Sequence, residues 1–385
     1  MPLKIGRGAD APPFMVMDVI AAANARETRR APGDPRTIRM EVGQPGTGAP
    51  RGAVEAAVAG LRSGDALGYT EALGIPSLRR RIAGHYRDWY GLDLDAGRVA
   101  VTVGASGAFP LAFLAAFDPG DRVALASPYY PPYVNVLQAL GLRPVVIPTG
   151  PETRYQPSVA LLDALDPVPD GLIVASPCNP AGTMLSPGEL AAIAAWCEAR
   201  GVRLISDEIY HGLHYGRPLA TAAAFPGTVV VNSFSKYFSM TGWRVGWLVL
   251  PETLVRPVEC LAQNMAISAP HIAQLAAEAA FECGEELEAN VAAYRRSRDL
   301  LLRALPHAGF SRLAEADGAF YLYADVSDRT NDSVAFCARM LAEAGVATSP
   351  GVDFDGERGL VTMRFSYCGP EADMAEAAER LQRWR

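Results

Sequence analysis

Short apolar runs recur through the first two thirds of the chain, at 99–103, 122–126, 144–147, 172–175, 203–205, 229–231 and 245–250. Most are followed by Gly, Pro, Ser, Asn or Asp, and several are rich in β-branched residues. Runs of this length bounded by turn formers predict buried strands. Helix-like segments lie between several of them. The clearest opens at Ser186, a plausible N-cap, with Pro187 at the first helical position and Glu189 completing a capping box. It runs to Arg200 and stops at Gly201, a residue suited to the left-handed conformation that ends helices. Alternating strand and helix predict an α/β fold: a mostly parallel seven-stranded sheet with helices on both faces.

From about residue 251 the pattern turns helical, with a long helix expected over 280–305 and Arg295, Arg296 and Arg298 on its polar side. Strands and helices mix from 320–326 to 361–366, which predicts a smaller α+β domain. No internal repeat is visible. Two uncharged stretches, 99–117 and 123–142, have the length of a membrane span. Gly104, Gly107 and Pro110 interrupt the first, and Pro128, Pro131 and Pro132 the second, so both are expected to be buried strand, turn and helix.

The 385 residues suit two or three domains, and a 50% hydrophobic content is ample for a large core. The net charge of -7 arises from 35 basic and 42 acidic residues spread along the chain, which argues against nucleic-acid binding. Six scattered cysteines without a CxxC pair suggest a reduced, cytoplasmic protein. Asp18 interrupts the apolar run 15–23, so no secretory leader is expected.

Thirty-three of the 35 basic residues are arginine, and the two lysines are Lys4 and Lys236. Chance could spare a lysine. Chemistry could also require one, since a guanidinium does not lose its proton whereas an amine can become a nucleophile and form an imine.

In open α/β sheets, ligands bind beyond the carboxyl ends of the strands. Gly104-Ala-Ser-Gly107 follows the first run and opens an apolar helix. Its backbone N–H groups suit a phosphate, although an ordinary strand-to-helix turn reads equally well. Asn179 sits in the loop Ser176-Pro-Cys-Asn-Pro-Ala-Gly182. Asp207, Glu208 and Tyr210 follow the run at 203–205, and Ser233 and Lys236 follow 229–231. A carboxylate, a phenol, an amide and the rare lysine therefore meet at one sheet edge. His211 and His214 form an HxxH without the zincin glutamate, and no metal site is expected. Cys178 has no base at readable spacing and is expected to pack, while Gly242 and Gly246 are expected to allow close backbone approach beside Arg244.

These motifs resemble the class I/II aminotransferases of pyridoxal phosphate (PLP) fold type I, the aspartate aminotransferase-like enzymes. The resemblance rests on the Asn179 loop, Ser206-Asp-Glu-Ile-Tyr210 and Ser233-Phe-Ser-Lys-Tyr-Phe-Ser-Met-Thr-Gly-Trp-Arg-Val-Gly-Trp247. Gly43-Gln-Pro-Gly46, Tyr69-Thr-Glu-Ala-Leu-Gly74 and Met363-Arg-Phe-Ser366 extend it from about residue 40 to the C-terminus, in family order. It implies that Lys236 holds PLP as a Schiff base and shuttles the proton at the substrate Cα. Asp207 would pair with the pyridine nitrogen, which makes the ring an electron sink. Tyr210 and Asn179 would bond the cofactor's 3′ oxygen, and Tyr130 would stack on the ring. Ala105, Ser106, Ser233 and Arg244 would bind the phosphate, joined by Tyr69 from the neighbouring subunit of a homodimer. Arg364 would clamp the substrate α-carboxylate, helped by the backbone near Gly43.

The resemblance also implies a large domain over 47–289 and a small one made of 1–46 and 290–385, able to close over substrate. Its implied activity is amino transfer between an L-amino acid and a 2-oxo acid by a ping-pong route. A β-lyase, decarboxylase or synthase of the same fold is the alternative, because the motifs are shared. A PLP-sensing regulator ranks last, since the roughly forty residues before Gly43 show no helix-turn-helix and no basic cluster. Ala181 stands where the family often has Thr. Ser106 stands where prokaryotic aspartate-type enzymes usually have lysine, which lowers the expectation of a dicarboxylic substrate. The aromatic loop Tyr129–Tyr133 suits apolar or aromatic substrates, though packing explains it equally well.

Overall fold

A computed structural model describes residues 3–384, with the side chain of Arg7 excepted. Met1, Pro2 and Arg385, at the outer ends of the expected small domain, lie outside the described residues. Strand β1 spans Ile38–Met40. Then come β2 (Val99–Thr102), β3 (Arg122–Ser127), β4 (Arg143–Pro148), β5 (Gly171–Ala175), β6 (Arg203–Asp207), β7 (Val229–Ser233) and β8 (Gly246–Val249). The last are β9 (Arg312–Leu313), β10 (Tyr321–Asp325), β11 (Val346–Pro350) and β12 (Thr362–Ser366).

The large sheet has seven strands in the order β2-β8-β7-β6-β5-β3-β4. Only β8 runs against the others. Each of the seven sequence runs lies in one of these strands. Both faces are covered, and side-chain alternation shows it. Leu172, Val174, Leu204 and Val230 enter one core with the helices Pro76–Tyr90 and Pro187–Arg200. Ile173, Ile205, Val229 and Val231 enter a second core with Gly104–Ala116 and Glu252–Met265. This is why the runs are continuously apolar.

Helix Pro187–Arg200 has the expected ends: Ser186 Oγ accepts from Glu189 N, and Gly201 sits at φ 68°. The long helix expected over 280–305 is Gly284–His307. A separate helix, His271–Ala280, precedes it, and the turn at 281–283 moves the start of the long helix from the expected 280 to Gly284. The uncharged stretches form β2 with helix Gly104–Ala116, and β3 with helix Pro132–Ala139. No helix among the described residues is long and apolar enough to cross a membrane.

The smaller sheet has the order β1-β11-β12-β10-β9. Strand β1 pairs with β11 in parallel, so an N-terminal segment completes a sheet built from C-terminal strands. That pairing carries Glu41, Val42 and Gly43 over the carboxyl edge of the large sheet.

Candidate active site

The carboxyl ends of β2, β3, β5, β6 and β7 open on a cavity of about 690 Å³. Ala105, Ser106, Tyr130, Asn179, Asp207, Tyr210, Lys236, Arg244, Gly43 and Arg364 all line it. Each lies at or beyond the end of a large-sheet strand except Arg244, which precedes the reversed β8, and Gly43 and Arg364, which come with the small sheet.

Lys236 is half-buried, and its Nζ donates to Gly43 O at 2.6 Å. Burial pushes its ammonium down to about 8, and Arg364 and Arg244 push the same way against the opposing influence of Cys368. The amine therefore loses its proton far more readily than an exposed lysine. Asp207 is buried at the end of β6. Its Oδ2 accepts from Tyr133 Oη, and its Oδ1 accepts from Ile209 N at 3.0 Å. Burial raises this carboxyl to about 6, opposed by the Tyr133 and Ile209 donors. It is mostly ionised at neutral pH and suited to a cationic N–H.

Arg364 is buried in β12. Its Nη1 donates to Asn179 Oδ1 at 2.7 Å, and its Nη2 donates to Glu41 O at 2.6 Å. The guanidinium lies between the rings of Tyr321 and Phe354, 4.3 and 4.6 Å from their centroids. Its buried Nε has no partner among the described residues, so a donor is left over for an anion. Tyr210 Oη shares a 2.8 Å hydrogen bond with Tyr321 Oη. A Cβ at Gly43 would collide with the Tyr321 hydroxyl, so only glycine lets this strand cross the cavity.

Arg244 holds a left-handed backbone at φ 55°, costly for a residue with a side chain. Its Nη1 donates to Thr241 O at 2.8 Å. A Cβ at Gly104 would strike this guanidinium, and one at Gly246 would lie 2.9 Å from Ala105 N. Helix Gly104–Ala116 has no side-chain cap, which leaves its first-turn N–H groups facing the cavity beside Arg244.

One expected residue does not line this cavity. Ser233 Oγ is buried between the strands and donates to Val245 O at 3.0 Å. Ser235, two residues on and past the end of β7, lines the cavity in its place. Tyr69, expected to serve a neighbouring subunit's cavity, is 82% exposed and lies beside Leu61 and Ile272. His211 is occupied within the core: its ring nitrogens bond Tyr90 Oη at 2.7 Å and Ser176 O at 2.9 Å. Cys178 is buried with its Sγ 3.4 Å from Thr183 Oγ1.

Sequence reasoning missed Tyr133, Tyr321, Ser235 and Thr241. It also missed Phe14, Val16 and Met17, which form the cavity's apolar side. Tyr133 belongs to the aromatic loop, for which substrate contact and packing read equally well, and nothing there points to its bond with Asp207. Tyr321 carries no local signal, because its role follows from the meeting of the two sheets.

A doubly covered α/β sheet, a lysine of lowered pKa, a carboxylate facing it and an anion cradle at a glycine-opened helix define an enzyme that does covalent amine chemistry. The sequence profile described as "Aminotransferase class I and II" matches residues 35–381, and the chain belongs to that family of aminotransferases. The chain is 50% identical to the valine–pyruvate aminotransferase of Mycobacterium tuberculosis, over 99% of this chain and 98% of that one. It is 34% identical to the aspartate/prephenate aminotransferase of Thermus thermophilus, over 95% and 94%. Among solved structures, an aminotransferase from Mycobacterium tuberculosis superposes with a TM-score of 0.96 at 50% identity, covering 100% of this chain and 99% of that one.

Proposed function

We propose that this aminotransferase works with pyridoxal phosphate bound through Lys236, and that its donors are apolar amino acids with pyruvate-like 2-oxo acids as acceptors. The observation that carries the reading is the convergence of Lys236, Asp207 and the Gly104–Arg244 cradle in one cavity. The cradle fits a phosphate: first-turn N–H groups, the hydroxyls of Ser106, Ser235 and Thr241, and a guanidinium meet where a Cβ on Gly104 would not fit. Asp207 fits a pyridinium N–H, and Tyr130 offers a ring face between them.

When bound, the cofactor takes up the electron pair left at the substrate Cα. The chain's residues do the rest. Arg364 fixes the substrate carboxylate through the N–H groups that its Nη atoms have left, the guanidinium being held in place by Asn179 Oδ1 and Glu41 O. Lys236 Nζ, with its proton affinity lowered by burial, takes the proton from Cα and returns it. Asp207 stays anionic because Tyr133 and Ile209 donate to it. Phe14, Val16 and Met17 keep water away from the opposite side.

The donor class rests on that apolar side and on the 50%-identical relative that carries the valine–pyruvate name. Ser106 in place of a lysine supports it, because among the described residues the cations lining the cavity are Lys236, Arg244 and Arg364, each with a role already, and none is left for a second carboxylate. A homodimer is part of the reading: Leu61, Tyr69, Met265 and Ile267 are exposed near one another in sequence or at a shared pocket, and such apolar surface seeks a partner. A reducing, cytoplasmic compartment is supported by six cysteines without a disulfide.

The test is Lys236→Ala. The variant is expected to lose the visible absorbance of the lysine-bound cofactor and all turnover. Turnover at the wild-type rate would end the assignment.

A further inference from the structure

The helix Met15–Arg29 begins at the cavity: its N-cap residue Phe14 and its first-turn residues Val16 and Met17 line the same space as Arg364. This helix lacks a local cap, because Phe14 occupies the N-cap position and offers no acceptor. Its exposed amides are met from the far end of the chain. Asp353 Oδ1 accepts from Met15 N and Asp353 Oδ2 from Val16 N, both at 2.9 Å. A carboxylate placed on the first N–H groups also complements the helix dipole.

The short turn that carries Asp353, Gly351–Asp353, touches two further walls of the same cavity. Phe354, the next residue, lays its ring 4.6 Å from the Arg364 guanidinium carbon. Its carbonyl accepts from Tyr129 N at 3.0 Å, next to Tyr130. Phe14 in turn meets the Tyr130 ring edge-on, with centroids 6.0 Å apart. The turn is wedged in place, since a Cβ on Gly351 would collide with Thr362. One turn thus fixes the covering helix, the arginine and the aromatic loop relative to each other.

We propose that Asp353 is a positioning residue for substrate selection: by capping helix Met15–Arg29 from the small sheet, it holds Phe14, Val16 and Met17 where an apolar substrate side chain is enclosed. The inference rests on the aminotransferase reading of the cavity. It concerns how the enclosure is held. A side chain as long as valine or leucine reaches the enclosure, whereas the methyl of alanine contacts it least. Loss of the cap therefore acts on long apolar donors and spares the proton-transfer step.

The experiment compares Asp353→Asn, Asp353→Ala and Phe14→Ala in the PLP-loaded enzyme, with valine, leucine and alanine as donors. Asp353→Ala is expected to raise KM for valine and leucine by about tenfold, the scale of a lost helix cap, with kcat changed less than about twofold. Asp353→Asn keeps one acceptor oxygen and falls between Asp353→Ala and wild type. Alanine KM moves less than about twofold in each, and Phe14→Ala reproduces the selectivity change. Amide hydrogen exchange gives a readout independent of turnover. In Asp353→Ala, peptides covering 14–20 exchange faster while peptides covering 99–110 do not.

Equal KM increases for alanine and valine, or unchanged exchange at 14–20, overturn the inference. If the wild type turns over no amino acid, the aminotransferase reading fails instead, and the exchange result still decides whether Asp353 anchors the helix.

Discussion

Removing the hydroxyl of Tyr133 tests how the cavity sets the charge of Asp207. The carboxylate is buried and takes two hydrogen bonds from the protein, one from Tyr133 Oη and one from Ile209 N. Tyr133→Phe deletes the first and conserves the ring, which packs on Phe109 with centroids 5.1 Å apart. A hydrogen bond to a charged group contributes about 1.5–3 kcal/mol. At about 1.4 kcal/mol per pH unit, its loss moves the carboxyl upward by about one to two units. Asp207 would then titrate at about 7 to 8 in cofactor-free protein instead of about 6. Carboxyl-region difference infrared spectroscopy across pH 5–9, with Asp207→Asn as the blank, reads this directly. The kinetic consequence is weaker cofactor binding near neutral pH, recovered as the pH is raised. If Asp207 titrates at the same pH in Tyr133→Phe and wild type, the hydroxyl is not what keeps the carboxylate charged, and the reasoning fails.

Other substitutions probe separate parts of the site. Gly104→Ala drives a methyl into Arg244 and strains a φ of +66°, so PLP affinity should fall by at least about tenfold, measured by cofactor titration. Ser235→Ala should weaken PLP binding more than Ser233→Ala, whose effect should appear as a loss of about 1 kcal/mol in denaturant unfolding; the reverse order would restore Ser233 to the cradle. His85 is buried and its pKa is pushed down to about 3 by burial, then by Arg81. An unfolded histidine binds a proton near 6.5 that the folded one refuses, so this residue's contribution is present above pH 6.5 and is lost as the pH falls toward 3. His85→Phe should therefore flatten the decline in stability between pH 6.5 and 5, as measured by urea unfolding at each pH.

Much of this fold could be read from the chain, because it rests on local rules. The apolar runs of the inner strands are continuous since strands buried on both faces have no polar alternation, whereas the edge strand β4 is apolar although Val146 is 43% exposed. Ser186, Pro187, Glu189 and Gly201 mark one helix completely. The long helix was legible to within a turn: expected over 280–305, it runs Gly284–His307, its start displaced by the turn at 281–283. The site residues that follow strands were legible through strand order and family motifs. Ser233 and Ser235 show the limit: Ser233 ends β7 with its hydroxyl on Val245 O, Ser235 lies in the turn beyond, and no local pattern says which hydroxyl faces the cavity. Tyr321, Phe14 and Asp353 were illegible for another reason. Their contacts join segments more than a hundred residues apart, such as Tyr210 with Tyr321 and Met15 with Asp353, and no local pattern encodes such a meeting. Tyr133 had a visible signal, a tyrosine in an aromatic loop, but its partner Asp207 lies 74 residues on.

The central claim is amino transfer through a cofactor held by Lys236. The most direct measurement is a half-reaction: PLP-loaded protein mixed with valine and no acceptor, with cofactor and products quantified by mass spectrometry. One equivalent of pyridoxamine phosphate and one of the branched 2-oxo acid per active site are predicted, with neither formed by Lys236→Ala. Carbon dioxide release, or free ammonia with the cofactor still in its aldehyde form, would contradict the account.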